Sequence, residues 1–365
     1  MIRTPRAVVI ATVALSAVLV LGGCTNGVTT GSASGDPDEA KIGLLLPDSV
    51  TARYESADRP YFEQRIAELC PRCDVLYANA DGDAAKQQQQ AESMLTQGVR
   101  VLVLDPFDGV AAASIVGLAD ARGVPVISYD RLIASPDLAY YISFDNELVG
   151  RLQAQALVDR LRELGVDPAD GGILMVNGSP TDNNASQFKA GAHAVIDASG
   201  YEVLAEFDTP GWDPAKAQDW VSGQITRFGS RVVGVYAAND PTAGGAIAAL
   251  KAAGVSPLPP VTGQDAELAG LQRILAGDQY MTVYKALRPE AFQAAELAIE
   301  LLNGRRPAGK VQVEVGDASI PSFLLEPLPV RRGDIASVVI DDGFFTVGQL
   351  CTSEYAAACR EAGIT

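Results

Sequence analysis

From Lys41 onward, short apolar runs rich in β-branched residues alternate with helical stretches, and few folds accept a chain with that rhythm. Residues 42–46, 75–77, 99–104 and 124–128 read as strands, with helices near 61–69, 84–97 and 110–122 between them. The strands are apolar almost throughout instead of alternating with polar residues, so both faces of their sheet must be covered, as in a parallel sheet flanked by helices. The cycle then repeats. Strands are expected at 173–176, 203–207, 232–237 and 261–262, and helices near 148–164, 184–198, 215–228, 242–253 and 266–276. One doubly wound domain rarely holds so many βα units. The expected architecture is therefore α/β, with two doubly wound parallel-sheet lobes.

In open parallel sheets ligands bind beyond the carboxyl ends of the strands. Nearly every expected strand here ends in polar residues: Pro47-Asp48, Asp105-Pro106, Tyr129-Asp130-Arg131, Asn177-Gly178, Asn239-Asp240 and Gln264-Asp265. Planar amide, carboxylate and guanidinium groups can make the paired hydrogen bonds that adjacent sugar hydroxyls require. Aromatic rings cover the flat C–H faces of a pyranose, and Tyr54, Phe107 and Trp212 lie in loops suited to that. Taken singly, each has a duller explanation, since Asp and Asn cap helices and aromatics fill cores.

The amino terminus bears on compartment. Arg3 and Arg6 precede an apolar run from residue 7 to 21, too short for a comfortable span and followed by Leu21-Gly22-Gly23-Cys24. That ending resembles a bacterial lipobox. The expectation is a lipoprotein signal peptide over 1–23, lipidation of Cys24, and a Gly/Ser/Thr-rich tether over 24–40. With a net charge of −17 there is no basic patch for nucleic acid, and the membrane is reached through the lipid alone. Four further cysteines, an even number outside the cytoplasm, favour local disulfides, Cys70–Cys73 and Cys351–Cys359. A Cys-Pro-Arg-Cys run can also be redox-active or half of a zinc site. Zinc would need all four thiolates, because His193 is the one histidine, and the run follows a helix where no N-terminus lowers a thiol pKa.

Enzyme signatures are missing: there is no GxxxxGK[ST], GxSxG or HExxH. Asp130 and Asp265 could in principle serve a glycosidase, but Arg131 beside Asp130 would lower its pKa and spoil a general acid. Neither cofactor nor metal is called for, and a monomer is expected.

Six colinear segments resemble the D-xylose-binding branch of the type I periplasmic sugar-binding family of ABC transporters. They are YDRLI (129–133), YYISFDNELVG (140–150), GSPTDNNA (178–185), ANDPTAGGAIAAL (238–250), GQDAELAGLQRILAGDQYMTVYK (263–285) and DGFF (342–345). The resemblance implies a monosaccharide ligand, D-xylose, and a permease partner; a different aldose, or service as a sugar-sensing subunit for a membrane signalling protein, is the alternative. It assigns sugar contacts to Asp130 and Arg131, to Arg53 with Tyr54 where the family has Arg-Trp, to Asn184 or its neighbour Asn183, to Trp212, Asn239 and Asp265, and to Lys285 at the hinge. It also implies a three-segment hinge, with crossings after Phe144, around Lys285 and after the helix that ends near Asn303. The first lobe would hold 41–144 plus 286–303, the second 145–284 plus 304–345, and 346–365 would form a tail closed by a disulfide. Sugar-dependent repressors share this fold but begin with a DNA-binding helix-turn-helix, where this chain has the leader.

Overall fold

The computed structural model describes residues 37–364, so the leader, Cys24 and most of the tether lie outside the described residues. The chain begins with β1 (Lys41–Leu46), α1 (Arg59–Leu69), β2 (Asp74–Asn79), α2 (Ala84–Thr96), β3 (Val99–Leu104), α3 (Ala113–Asp120), β4 (Val126–Tyr129) and β5 (Tyr140–Phe144). It continues with α4 (Asn146–Glu163), β6 (Gly172–Asn177), α5 (Asn183–Ser199), β7 (Glu202–Asp208), α6 (Pro214–Phe228), β8 (Val232–Ala237), α7 (Asp240–Ala252), α8 (Leu268–Ala276) and β9 (Met281–Tyr284). Then come α9 (Leu287–Leu302), β10 (Val311–Val315), β11 (Ala318–Leu325) and β12 (Leu328–Arg331).

The first lobe is a seven-stranded sheet in the order β10-β11-β5-β4-β3-β1-β2, parallel except for β10. Helices α1 and α9 cover one face, burying Phe62, Ile66, Ala294 and Leu297 against Ile42, Val101 and Ile127. The opposite face buries Leu45, Leu102 and Leu104 against Met94, Ile115 and Val116 of α2 and α3. In the second lobe β7-β6-β8 is parallel, and Val261 adds one bridge beside Val235 where a strand was expected. Hydrogen bonds from Tyr280 N to Val261 O and from Val283 N to Gly263 O carry the sheet on to β9, which pairs antiparallel with β12.

One assignment is overturned. Residues 304–325 do not join the second lobe: β11 runs parallel to β5, with Ser322 opposite Tyr141 and Leu325 opposite Phe144, and β10 closes the hairpin. Without them β5, buried at every position, would be an apolar strand with an open edge. The chain therefore crosses between lobes after Phe144, at Lys285–Ala286 and at Glu326–Pro327, not after Asn303. The Asp145 N to Leu325 O hydrogen bond, 3.0 Å, ties the first crossing to the third.

Helices α4 and α5 cross backbone to backbone. A Cβ on Gly150 would lie 1.9 Å from the Phe188 carbonyl oxygen, and one on Gly191 would lie 2.0 Å from that of Glu147. The tail folds under α8: Leu350, Cys359 and Ile364 are buried with Leu271, Ile274 and Leu275. Disulfides join Cys351 to Cys359 in that tail and Cys70 to Cys73 after α1. Among the described residues no helix is long and apolar enough to cross a membrane, and no cluster of His, Cys, Asp or Glu is arranged to hold a metal.

Candidate functional site

Helix N-termini and strand carboxyl ends coincide in this fold, and polar caps concentrate there. Asp83, Asp145, Asp182, Asp213 and Asn239 each accept a backbone N–H in the first turn of the helix that follows. Between the facing ends of the two lobes, a cavity is lined by Thr51, Arg53, Tyr54, Asp130 and Arg131 from the first lobe. Asp182, Asn184, Phe188, Trp212, Asn239, Gln264 and Asp265 line it from the second, with Lys285 at the hinge. Only about 20 Å³ remains free among these side chains, room for a single water. The lobes are shut on one another. Gly109 N donates to Thr181 O at 3.1 Å, Asn184 Nδ2 to Asp130 O at 2.9 Å and Ala52 N to Glu267 Oε1 at 3.2 Å, all across the cleft.

Four charges alternate in a ring at the centre. Arg53 Nη1 lies 3.3 Å from Asp130 Oδ1, which lies 3.7 Å from Lys285 Nζ. Lys285 Nζ is 3.0 Å from Asp265 Oδ1, and that oxygen is 3.8 Å from Arg53 Nη1. All four side chains are buried. Burial works against ionisation of Asp130, but Arg53, Lys285 and Arg131 outweigh it and hold its carboxyl down at about 2. Burial likewise opposes the Lys285 ammonium, and Asp130 and Asp265 more than restore it.

Beside the ring, Arg131 lies among Asp182 (3.0 Å), Asp48 (3.4 Å) and Asp105 (3.8 Å). Burial pushes Asp105 well above the usual carboxylate range, and neither of its oxygens accepts a hydrogen bond. Asp130, Trp212 and Asp265 have φ of 54°, 55° and 89°, a region disfavoured for side-chain-bearing residues at about 1–3 kcal/mol each. The turn at Asp130 is held by Ser143 Oγ and Asn184 Nδ2, which both donate to its carbonyl.

Several roles differ from those the sequence suggested. Arg53 faces the cleft with Nη1 only: Nε and Nη2 each donate to Asp58 at 2.8 Å, and Nη2 also donates to Glu290 at 2.8 Å. Asn239 spends its Oδ1 on Thr242 N and Oγ1, capping α7, so its amide N–H₂ is the group left for the cleft. Asn183 does not line the cavity; Asn184 does. On a helix capped by Asp182, the cleft-facing positions are 184 and 188, and residue 183 is turned about 100° away. Phe107 lies on the outer rim with Pro180 and Pro210, and Phe188 supplies the inner aromatic face. Thr51, Asp182 and Phe188 went unrecognised, although Asp182 carries a legible signal as an Asp just before a helix start; Gln264, singled out only as a polar strand end, also lines the cavity. Two wider hollows, about 450 and 590 Å³, flank Pro257–Pro260 on the second lobe, but neither gathers carboxylates and cations from both lobes.

A bilobal α/β molecule with its buried polar groups converging from both lobes and the hinge is a cleft-binding protein. The comparisons agree. Residues 42–306 match the periplasmic binding protein domain, and the chain belongs to that family. It is 39% identical to the D-xylose-binding periplasmic protein of Escherichia coli K12, over 90% of this chain and 97% of that one. It is 32% identical to a multiple sugar-binding periplasmic receptor of Rhizobium radiobacter, over 86% and 93% of the two chains. A solute-binding protein from Clostridium phytofermentans, solved with bound β-D-glucose, superposes with a TM-score of 0.78 at 28% identity, covering 85% of this chain and 99% of that one.

Proposed function

We propose that this chain is an extracytoplasmic solute-binding lipoprotein, anchored through Cys24, which captures a neutral monosaccharide between its lobes and delivers it to an ABC-transporter permease. D-xylose is the first candidate ligand, and the sugar leaves chemically unchanged. The observation that carries this reading is the alternating ring of Arg53, Asp130, Lys285 and Asp265. Its donors and acceptors are rigid and mutually neutralised, so it offers both halves of the hydrogen bonds a hydroxyl needs and no surplus cation for a sugar acid or phosphate. Trp212, Phe188 and Tyr54 supply apolar faces around it. The D-xylose preference rests on the 39% identity to the Escherichia coli protein.

Isothermal titration of the protein lacking residues 1–23 against D-xylose, D-glucose, L-arabinose and D-ribose tests this. Binding is expected at micromolar Kd or tighter, which is about −8 kcal/mol. Arg131→Ala and Asp265→Ala should each weaken it by tens- to hundreds-fold, the loss of one charged hydrogen bond. No binding to any of the four sugars, or turnover of one, would refute the proposal.

A further inference from the structure

Asp182 occupies a position that no sugar-contact assignment explains. Its side chain is 3% exposed and engaged three ways. Oδ1 accepts from Asn184 N at 2.9 Å and caps α5. Oδ2 accepts from Trp212 Nε1 at 3.0 Å and, on the same oxygen, lies 3.0 Å from Arg131 Nε. Trp212 belongs to the second lobe with Asp182, and Arg131 comes from the first. This contact joins a cation of one lobe to the aromatic plate of the other, and it exists only while the lobes meet.

We propose that Asp182 is a positioning residue that makes closure of the lobes and assembly of the binding site a single event. Resting on the sugar-cleft reading above, the argument runs through geometry. Trp212 is packed against Gly178, where a Cβ would lie 2.0 Å from its Cη2, so the ring turns only if its indole N–H is released. Arg131 is held on its own lobe by weaker contacts, 3.3 Å to Pro106 O, 3.4 Å to Asp48 and 3.8 Å to Asp105. Its one 3.0 Å partner is Asp182. When the lobes shut, the guanidinium docks on an oxygen already oriented by Trp212 and by the α5 cap. The sugar-facing edge of Arg131 and the face of Trp212 then become fixed relative to each other. Charge-assisted contacts of this kind are short and directional, which is what locking two lobes demands.

The substitution that tests this role is Asp182→Asn. Asn keeps one oxygen for the α5 cap but places an N–H₂ where Oδ2 now accepts from Trp212 Nε1 and faces Arg131 Nε, so the indole and the guanidinium lose their shared acceptor together. In a Trp220→Phe background, Trp212 is the one remaining tryptophan and reports on its own surroundings. Stopped-flow fluorescence with D-xylose should give a dissociation rate raised about 10- to 100-fold, with the association rate changed less than threefold. Asp182→Glu, which keeps the charge on a longer arm, should fall between wild type and Asn, and it stands in if the Asn variant does not fold. Combining Asp182→Asn with Arg131→Ala should weaken binding by less than the product of the single effects. If wild type binds D-xylose while Asp182→Asn leaves both rates unchanged, or if the two substitutions multiply independently, the role assigned to Asp182 is wrong and the sugar reading stands. If wild type binds none of the four monosaccharides, the sugar reading falls and this role falls with it.

Discussion

Replacing Arg53 by methionine tests whether this residue is the organising hub of the first lobe. The side chain is 2% exposed and makes four hydrogen bonds to carboxyls: two to Asp58, one to Glu290 and one to Asp130. Methionine fills similar space but leaves Asp58 with Tyr129 as its hydroxyl donor and strips Glu290 of its ion-pair partner. Four charged hydrogen bonds at about 1.5–3 kcal/mol each would sum to far more than is ever measured, because the orphaned carboxyls take up protons instead of remaining charged. Removing one partner of a buried pair costs about 3–5 kcal/mol, and that is the loss expected at pH 7 in urea unfolding followed by circular dichroism. The sign of the pH effect follows. Burial already pushes Glu290 well above the usual carboxylate range, and losing Arg53 raises it further. A raised carboxyl favours the fold at pH values below its unfolded pKa and loses that advantage as pH climbs. The deficit of Arg53→Met should therefore shrink at pH 5 and grow at pH 8, and adding Glu290→Gln should recover part of it. A loss under about 1 kcal/mol, or a deficit equal at pH 5 and pH 8, would show that the network does not stabilise the lobe as argued.

Gly178→Ala should push the Trp212 ring out of place, because the new Cβ would lie 2.0 Å from it; sugar binding should weaken at least tenfold by calorimetry, with a stability cost of about 1–3 kcal/mol, and unchanged affinity would contradict the packing. Asp240 is fully buried, and that burial pushes its carboxyl up to about 7 against the pull of Arg273 and Gln279. The folded state keeps a proton that the unfolded chain releases near pH 4, so stability should fall between about pH 4 and 7 by up to about 1.4 kcal/mol per pH unit from this group and level off above that. Asp240→Asn should flatten that slope in urea titrations, and identical slopes would count against it. Cys24→Ser should move the protein from the membrane pellet to the soluble fraction with sugar affinity intact, and a variant that still pellets would rule out the lipid anchor.

The alternation of apolar strands with helices is a local signal, and it was legible because both faces of β1, β3 and β4 are covered. What escaped the sequence is long-range pairing. Alternating residues mark β10 as a strand of a hairpin but do not say which sheet has a free edge. That depended on β5, more than 170 residues earlier. The resemblance assigns Arg53 to the sugar, and nothing in the sequence around it shows that it is also held by Glu290, 237 positions away. The choice between Asn183 and Asn184 turns on helix phase, fixed by the Asp182 cap. Phe107 and Phe188 are equally apolar, and only the closed geometry puts one on the rim and the other inside.

The crossing of α4 and α5 at Gly150 and Gly191 has an evolutionary consequence. Because α5 is seated by main-chain contact at these points, its position is largely indifferent to which side chains it carries toward the cleft. Residues 184 and 188 can then be exchanged while the helix that bears them stays where it is. A lineage could alter the cleft-facing surface at those two sites without moving the helix, a change at 188 acting on the apolar face and a change at 184 also giving up the amide that holds the Asp130 turn. Substituting either glycine would remove that freedom at once, since every cleft-facing atom on α5 would move together.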